Sequence, residues 1–261
     1  MAGKAQFGSK IGLIAATVGS AVGLGNVWRF PAETQSNGGA AFLLLYIACV
    51  FLLGIPVMLA EFSLGRGKRS DAVGVFRKLS PHSGWWIVGA VAILASYLIL
   101  SFYMVVAGWT LEYLWQSVTG YLYEPINAVA ANAGVEGLEQ QFKLRMQEFI
   151  VQDSRPVIMT YIMLLINAGI LMMGVQKGIE KMSNILMPLL FLLLLIFAGV
   201  SLTFPKAMEG LEFFLNPDFS KITPSVVVNA LGQAFFSLSL GMGILITYSS
   251  YFPIIIKTYI K

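Results

Sequence analysis

"VGSAVGLGNVWRFP", residues 18–31, breaks what would otherwise be a membrane-spanning run. A spanning helix asks for about 20 apolar residues in succession. This one carries Gly19, Gly23, Gly25 and Asn26, then closes on Trp28, Arg29, Phe30 and Pro31. A second interruption, Gly241-Met242-Gly243, lies in "GQAFFSLSLGMGILITYSSY" (232–251), beside Gln233, Ser237, Ser239, Thr247, Ser249 and Ser250. Small residues such as Gly19-x-x-x-Gly23 also permit close helix packing. Two breaks beside side-chain oxygens ask for more. Unwound backbone in hydrocarbon leaves polar groups unpaired, and it persists only where a ligand, an ion or water satisfies them.

The chemistry of such breaks is specific. Exposed carbonyls and amide oxygens are hard ligands, suited to a small hard cation. The N-terminal ends of half-helices present N–H groups that favour a carboxylate. One pocket at mid-membrane depth then holds a cation and a zwitterion together. Glycine frees the backbone for unusual conformations and close approach. A dinucleotide loop is excluded, because Gly23-Leu24-Gly25 lacks a third glycine and follows no strand.

Composition agrees. The 261 residues are 57% hydrophobic and 11% charged, with a mean hydropathy of +0.77, where soluble domains carry about 25% charged residues. The expected fold is an all-α polytopic membrane protein in a single transmembrane domain, 1–261. Its spans are expected near 11–30, 40–64, 85–118, 156–176, 182–205 and 225–252, with an outer loop at 120–155. These runs lack the alternation of a β-barrel. Cys49 alone makes no internal disulfide, and no Cys/His spacing suits zinc. The net charge of +4 resides next to apolar runs and suits lipid headgroups better than nucleic acid. Residues 1–25 have a basic start and an apolar run like a signal peptide, but no A-x-A site follows.

Basic residues set the orientation. Lys4, Lys10, Arg66, Lys68, Arg69, Arg77, Lys78, Lys177, Lys181, Lys257 and Lys261 fall on one side; Lys143, Arg145, Arg155, Lys206 and Lys221 on the other. The excess predicts that both termini are cytoplasmic. In the outer loop, "EGLEQQFKLRMQEFIVQ" (136–152) puts Leu138, Phe142, Met146 and Phe149 on one helical face, which predicts a short surface helix. The inner loop 66–84 is expected to hold a short helix capped by Ser70.

These residues resemble the neurotransmitter:sodium symporter family. "GSAVGLGNVWRFP", "NGGAAFLLLY", "GIPVMLAEFSLGR", "SFYMVVAGW" and "GQAFFSLSLGMGILITYSSY" stand in family order and spacing, over nearly the whole chain to Pro253. The resemblance implies the leucine-transporter fold, with the first and sixth spans unwound at mid-membrane depth. It implies sodium-coupled symport of an amino acid across the plasma membrane, with no enzymatic activity.

Carried over by motif, a first sodium site would use the carbonyl of Ala21, the Asn26 side chain, the Ser237 hydroxyl and the substrate carboxylate. A second would use the carbonyls of Gly19 and Val22. The amides of Leu24 and Gly25 and the Tyr103 hydroxyl would hold the carboxylate. Ser20, Ile99, Phe236, Ser239 and Met242 would surround the amine and side chain. Arg29 and Phe236, with Gln233 nearby, would form the extracellular gate. Gly23 stands where monoamine-carrying relatives have Asp, so an intact amino acid is implied. The apolar Ile99, Phe236 and Met242 point to a bulky hydrophobic or aromatic one. Tyr46, Gln233 and Ser237 match positions that shape a chloride site in some relatives, and chloride dependence stays open. Glu61, at the end of the second span, is either a structural acceptor for unwound backbone or a proton carrier.

Family members have eleven or twelve spans as two inverted repeats. By that pattern this chain holds the first repeat and the opening helix of the second. Alone it is expected not to transport, and sodium-dependent amino-acid uptake by the purified chain in liposomes would contradict this. The other arrangement is a half-transporter that assembles with a complementing half, or modulates a partner; a homodimer is also compatible. An intramembrane enzyme built on Ser20 lacks a histidine or lysine on a facing span. A six-span channel lacks a carbonyl filter or acidic ring.

Overall fold

In the computed structural model, residues 10–23, 25–122, 140–152 and 154–252 are described, with Lys10 and Ser20 as backbone only. All regular structure among them is helical. Apolar runs form helices here because hydrocarbon demands that each backbone N–H and C=O be paired within its own segment.

The N-terminal run gives α1 (Lys10–Ala21), a π-helical turn at Gly25–Arg29 and α2 (Phe30–Ser36). Pro31 lies in the first turn of α2, where its missing N–H removes no helical bond. Next come α3 (Ala40–Cys49), a π turn at Val50–Gly54 and α4 (Ile55–Lys68), which together make one long apolar helix. Then follow α5 (Ala72–Leu79), α6 (Trp86–Val118), α7 (140–151), α8 (Arg155–Met172) and a π turn at Val175–Glu180 leading into α9 (Lys181–Ser201). The C-terminal part adds α10 (Ala207–Leu215), α11 (Pro224–Ser237) and α12 (Ile244–Ser249).

Among the described residues, four helical runs are long and apolar enough to cross a membrane: Ala40–Lys68, Trp86–Val118, Arg155–Met172 and Val175–Ser201. The runs expected at 11–30 and 225–252 do not form single long helices. The first stops at Ala21 and resumes at Gly25; the second stops at Ser237 and resumes at Ile244. The expected fifth span begins earlier than its charges suggested. Gly174, at φ +81°, ends the preceding segment, and the basic stretch from Val175 to Lys181 is already helical. The α8 and α9 helices bury no residue. Leu165 and Phe197 are 67% and 72% exposed, a surface made for lipid or for other apolar helices rather than for water.

The chain divides into two compact units, and the boundary falls within α6 after Ser96. In the first unit (Met1–Ser96 with Met173–Lys261), α3 packs on α11, α4 on α12 and α1 on α9. The α3–α11 contact is a small core of Phe42, Val226 and Ala230, bordered by Phe30, Leu45, Tyr46 and Cys49. The Phe30 and Tyr46 rings meet at 5.0 Å between centroids. At the α4–α12 contact a Cβ on Gly65 would overlap the Ile246 carbonyl and the Ser249 hydroxyl. Gly65→Ala is therefore expected to lower stability by about 1–3 kcal/mol, read as a fall in thermal midpoint in detergent.

The short helix expected in the 66–84 loop forms, but Asp71 caps it rather than Ser70. The Asp71 carboxylate accepts from the Val73 and Gly74 N–H groups at 3.0 and 2.8 Å. Asp71 holds the extended N-cap conformation, one residue nearer the first turn. Between α10 and α11, Asp218 accepts from the Ser220 amide and hydroxyl. The Ser220 side chain chiefly holds the Asp218 carboxyl below the usual carboxylate range. This turn keeps its bonds above the ordinary carboxylate pKa and loses them as pH falls through the lowered one.

The second unit (Tyr97–Met172) comprises the C-terminal part of α6, α7 and α8. Of the expected apolar face on α7, Phe149 is 4% exposed and meets the Tyr113 ring edge-on at 6.4 Å. The Tyr113 hydroxyl lies 3.3 Å from the Met146 sulfur. Phe142 stays exposed, and Leu138 lies outside the described residues. Gly108 sits so close to α8 that a Cβ would come within 2.7 Å of the Thr160 amide nitrogen. Glu112 on α6 is wholly buried and pairs with Arg155 at the start of α8, at 2.9 Å.

Candidate functional site

The first break leaves backbone groups without helical partners. The Val22 N–H still reaches the Val18 carbonyl at 2.7 Å. The Asn26 and Val27 N–H groups both turn to the Gly23 carbonyl, at 3.0 and 3.1 Å. Asn26 thus bonds one residue short of its helical acceptor, the Val22 carbonyl. Its side-chain amide spans the break instead, with Nδ2 donating to the Ala21 carbonyl at 2.9 Å. The Asn26 amide and the Ala21 carbonyl, expected on one ion, are therefore adjacent. A Cβ on Gly23 would meet open space, and its φ is not positive. Its role is not steric at its own Cβ. Leu24 and the side chain of Ser20 lie outside the described residues.

The second break is where glycine conformation is used. Ser239, Gly241 and Gly243 have φ of +55°, +76° and +69°, a region that costs an L side chain but not glycine. Two polar side chains satisfy the freed backbone. The Gly241 N–H donates to Glu61 Oε1 at 2.7 Å, and the Ser96 hydroxyl donates to the Met242 carbonyl at 2.8 Å. Glu61 is 6% exposed, so of its two readings the geometry displays the backbone acceptor. Gly243 also abuts Ala72, whose Cβ would lie 2.6 Å from an added Cβ. Gly243→Ala is expected to cost about 1–3 kcal/mol, by positive φ and overlap together, measured as a fall in detergent thermal midpoint.

Gln233 ties the two interrupted helices together. Its Nε2 donates to the Gly25 carbonyl at 3.2 Å and to the Ser237 hydroxyl at 3.1 Å. Gln233 is wholly buried, and its Oε1 has no hydrogen-bond partner among the described residues. The Gly25 carbonyl and the Ser237 hydroxyl thus meet at the Gln233 amide, and the Ala21 carbonyl meets the side-chain amide of Asn26, the residue after Gly25. Arg29 lies over the Phe236 ring with Cζ 4.8 Å from the centroid and pairs with Glu33 at 3.3 Å. Gln233 serves the Gly25 carbonyl and Ser237 in this arrangement. Gly19 packs on α9, where a Cβ would lie 3.1 Å from the Met187 sulfur. Ser239 is buried and Met242 half-buried in the second break.

Ile99 and Tyr103 belong to the second unit, on α6. With Ser96 they fall at i, i+3 and i+7 and share one helix face. Sequence reasoning missed Ser96. Its signal was that spacing: a hydroxyl two helical turns before Tyr103 in an apolar run. Asn37 and Asn229, joined at 2.9 Å from Nδ2 to Oδ1, were missed too, because their pairing spans most of the chain.

The sodium:neurotransmitter symporter family model matches residues 4–133 and 127–259. The chain belongs to that family. This symporter-family chain is 39% identical over 249 residues to the sodium-dependent transporter YhdH of Bacillus subtilis, covering 95% of the chain and 52% of the relative. It is 32% identical to the sodium-dependent neutral amino acid transporter B(0)AT2 of Mus musculus, covering 93% and 35%. Among solved structures, the crystal structure of MhsT in complex with L-phenylalanine is similar at 47% identity and a TM-score of 0.84, covering 96% of this chain and 54% of that one. The chain spans about half the length of the first curated relatives it matches. Its relatives are sodium-dependent transporters and not enzymes. Family and apolar helices together make it a multi-pass membrane protein.

Proposed function

We propose that this chain carries ion- and substrate-binding elements of a sodium-coupled amino-acid symporter of the plasma membrane. The carrying observation is the meeting of two interrupted helices, with Asn26 on the Ala21 carbonyl and Gln233 bridging the Gly25 carbonyl and Ser237. Such oxygens suit a small hard cation. In this reading the interrupted helices are the first and sixth of six spans in one transmembrane domain, with both termini cytoplasmic.

The first sodium ion takes the Ala21 carbonyl, Asn26, Ser237 and the substrate carboxylate. The second takes the carbonyls of Gly19 and Val22. Leu24, Gly25 and Tyr103 hold the carboxylate; Ser20, Ile99, Phe236, Ser239 and Met242 line the rest. Arg29 and Phe236, with Gln233 behind them, form the outer gate. The substrate is a bulky hydrophobic or aromatic amino acid. Support comes from the apolar Ile99, Phe236 and Met242, and from a structural relative that holds L-phenylalanine.

The test is a chimera in which this chain replaces the matched half of MhsT. It is expected to bind radiolabelled L-phenylalanine only with sodium, and tryptophan or leucine should compete far better than glycine. Competition led by glycine would reject the bulky pocket, and binding indifferent to sodium would reject the coupling.

A further inference from the structure

We infer that Glu33 is a positioning residue of the outer gate: it holds Arg29 over Phe236 and is itself held by Asn37 and Asn229. The inference rests on the gate reading above. An arginine side chain has many rotamers, and a single cation–π contact restrains it weakly. Here Arg29 has two restraints, the Phe236 ring 4.8 Å from Cζ and Glu33 Oε1 at 3.3 Å from Nε.

Glu33 is anchored from behind. Its Oε2 accepts from Asn37 Nδ2 at 3.1 Å, and the same Nδ2 donates to the Glu33 carbonyl at 2.8 Å. Asn37 is 8% exposed, and its Oδ1 accepts from Asn229 Nδ2 at 2.9 Å. Asn229 and Phe236 stand seven residues apart on α11, on one helix face. The contacts close a ring: Arg29, Glu33 and Asn37 on one side, Asn229 and Phe236 on α11. One carboxylate oxygen is fixed by a buried amide, so the other meets Arg29 in a set place. An exposed i,i+4 pair without that anchor would be loose. The Arg29 charge is therefore neutralised and aimed from within this segment.

The test uses the full chain in lipid nanodiscs with Cys49→Ala and Ser237→Cys, so that the only thiol lies next to Phe236; Ser239→Cys serves where Ser237→Cys does not fold. The readout is the rate of alkylation by N-ethylmaleimide. Arg29→Ala is expected to raise it about fivefold, the upper end of the scale of a cation–π contact that is partly open to solvent. Glu33→Gln keeps size and the bond from Asn37 but loses the charge. It is expected to raise the rate about two- to threefold and to abolish the rise that added salt produces in the parent. A parent-like rate or an intact salt response in Glu33→Gln, while Arg29→Ala still accelerates, overturns the inference and leaves the gate standing. No effect of Arg29→Ala overturns the gate reading, and this inference with it. A control thiol at Ser249→Cys, wholly buried on α12, is expected to react equally in all variants; a matching rise there would make Glu33 merely structural.

Discussion

Asn26→Ala in the chimera with MhsT is expected to weaken sodium-dependent amino-acid binding by about 100-fold or more. Two losses combine. The substitution removes a hard oxygen from the proposed first ion site, and an interaction of that charged kind is worth about 1.5–3 kcal/mol. It also removes the Nδ2 bond that spans the break to the Ala21 carbonyl, which leaves that carbonyl free to turn away from the ion. Because the substrate carboxylate completes the same ion shell in this reading, sodium and amino-acid affinities should fall together, as linkage requires. Asn26→Asp keeps an oxygen for the ion but loses the donor to the Ala21 carbonyl, so it should retain more binding than Asn26→Ala and less than the parent. Scintillation-proximity titration with sodium at fixed L-phenylalanine measures both. An unchanged sodium midpoint in Asn26→Ala would remove Asn26 from the first site.

The second large effect concerns stability. Arg155→Ala should destabilise the second unit by about 3–5 kcal/mol, because it strands a buried charge. Glu112 is wholly buried, accepts from Gln116 at 2.8 Å and pairs with Arg155 at 2.9 Å through Oε1. Its Oε2 has no partner among the described residues, so little remains to hold the charge once the guanidinium is gone. Glu112→Gln in the Arg155→Ala background removes the stranded charge and should recover much of the loss. Loss of helical circular dichroism on titration with SDS compares both variants with the parent. A double variant no more stable than Arg155→Ala would mean that the damage comes from lost packing rather than from the charge.

Much of the fold was legible in the chain because bilayers impose a simple code. Apolar runs near the spanning length read directly as helices, and α3 to α4, α6, α8 and α9 follow them. The two interruptions were legible as well, since Gly-x-Gly beside amide and hydroxyl groups is costly in lipid without a purpose. Boundaries set by one conformer were less so. Gly174 at φ +81° starts the α9 run early, and the choice of Asp71 over Ser70 as cap turns on one extended backbone residue.

By itself, then, the sequence determined the class of molecule, the helical runs and the places where two of them break. Those follow from local terms: hydropathy, glycine freedom and the need to pair each backbone group. Tertiary structure decided what answers the breaks. Glu61 takes the Gly241 amide, Ser96 the Met242 carbonyl and Gln233 the Gly25 carbonyl, across separations of 180, 146 and 208 residues. No local propensity encodes such pairs. A buried polar group is satisfied by whichever donor or acceptor packing brings within about 3 Å, and packing is a property of the assembled helices.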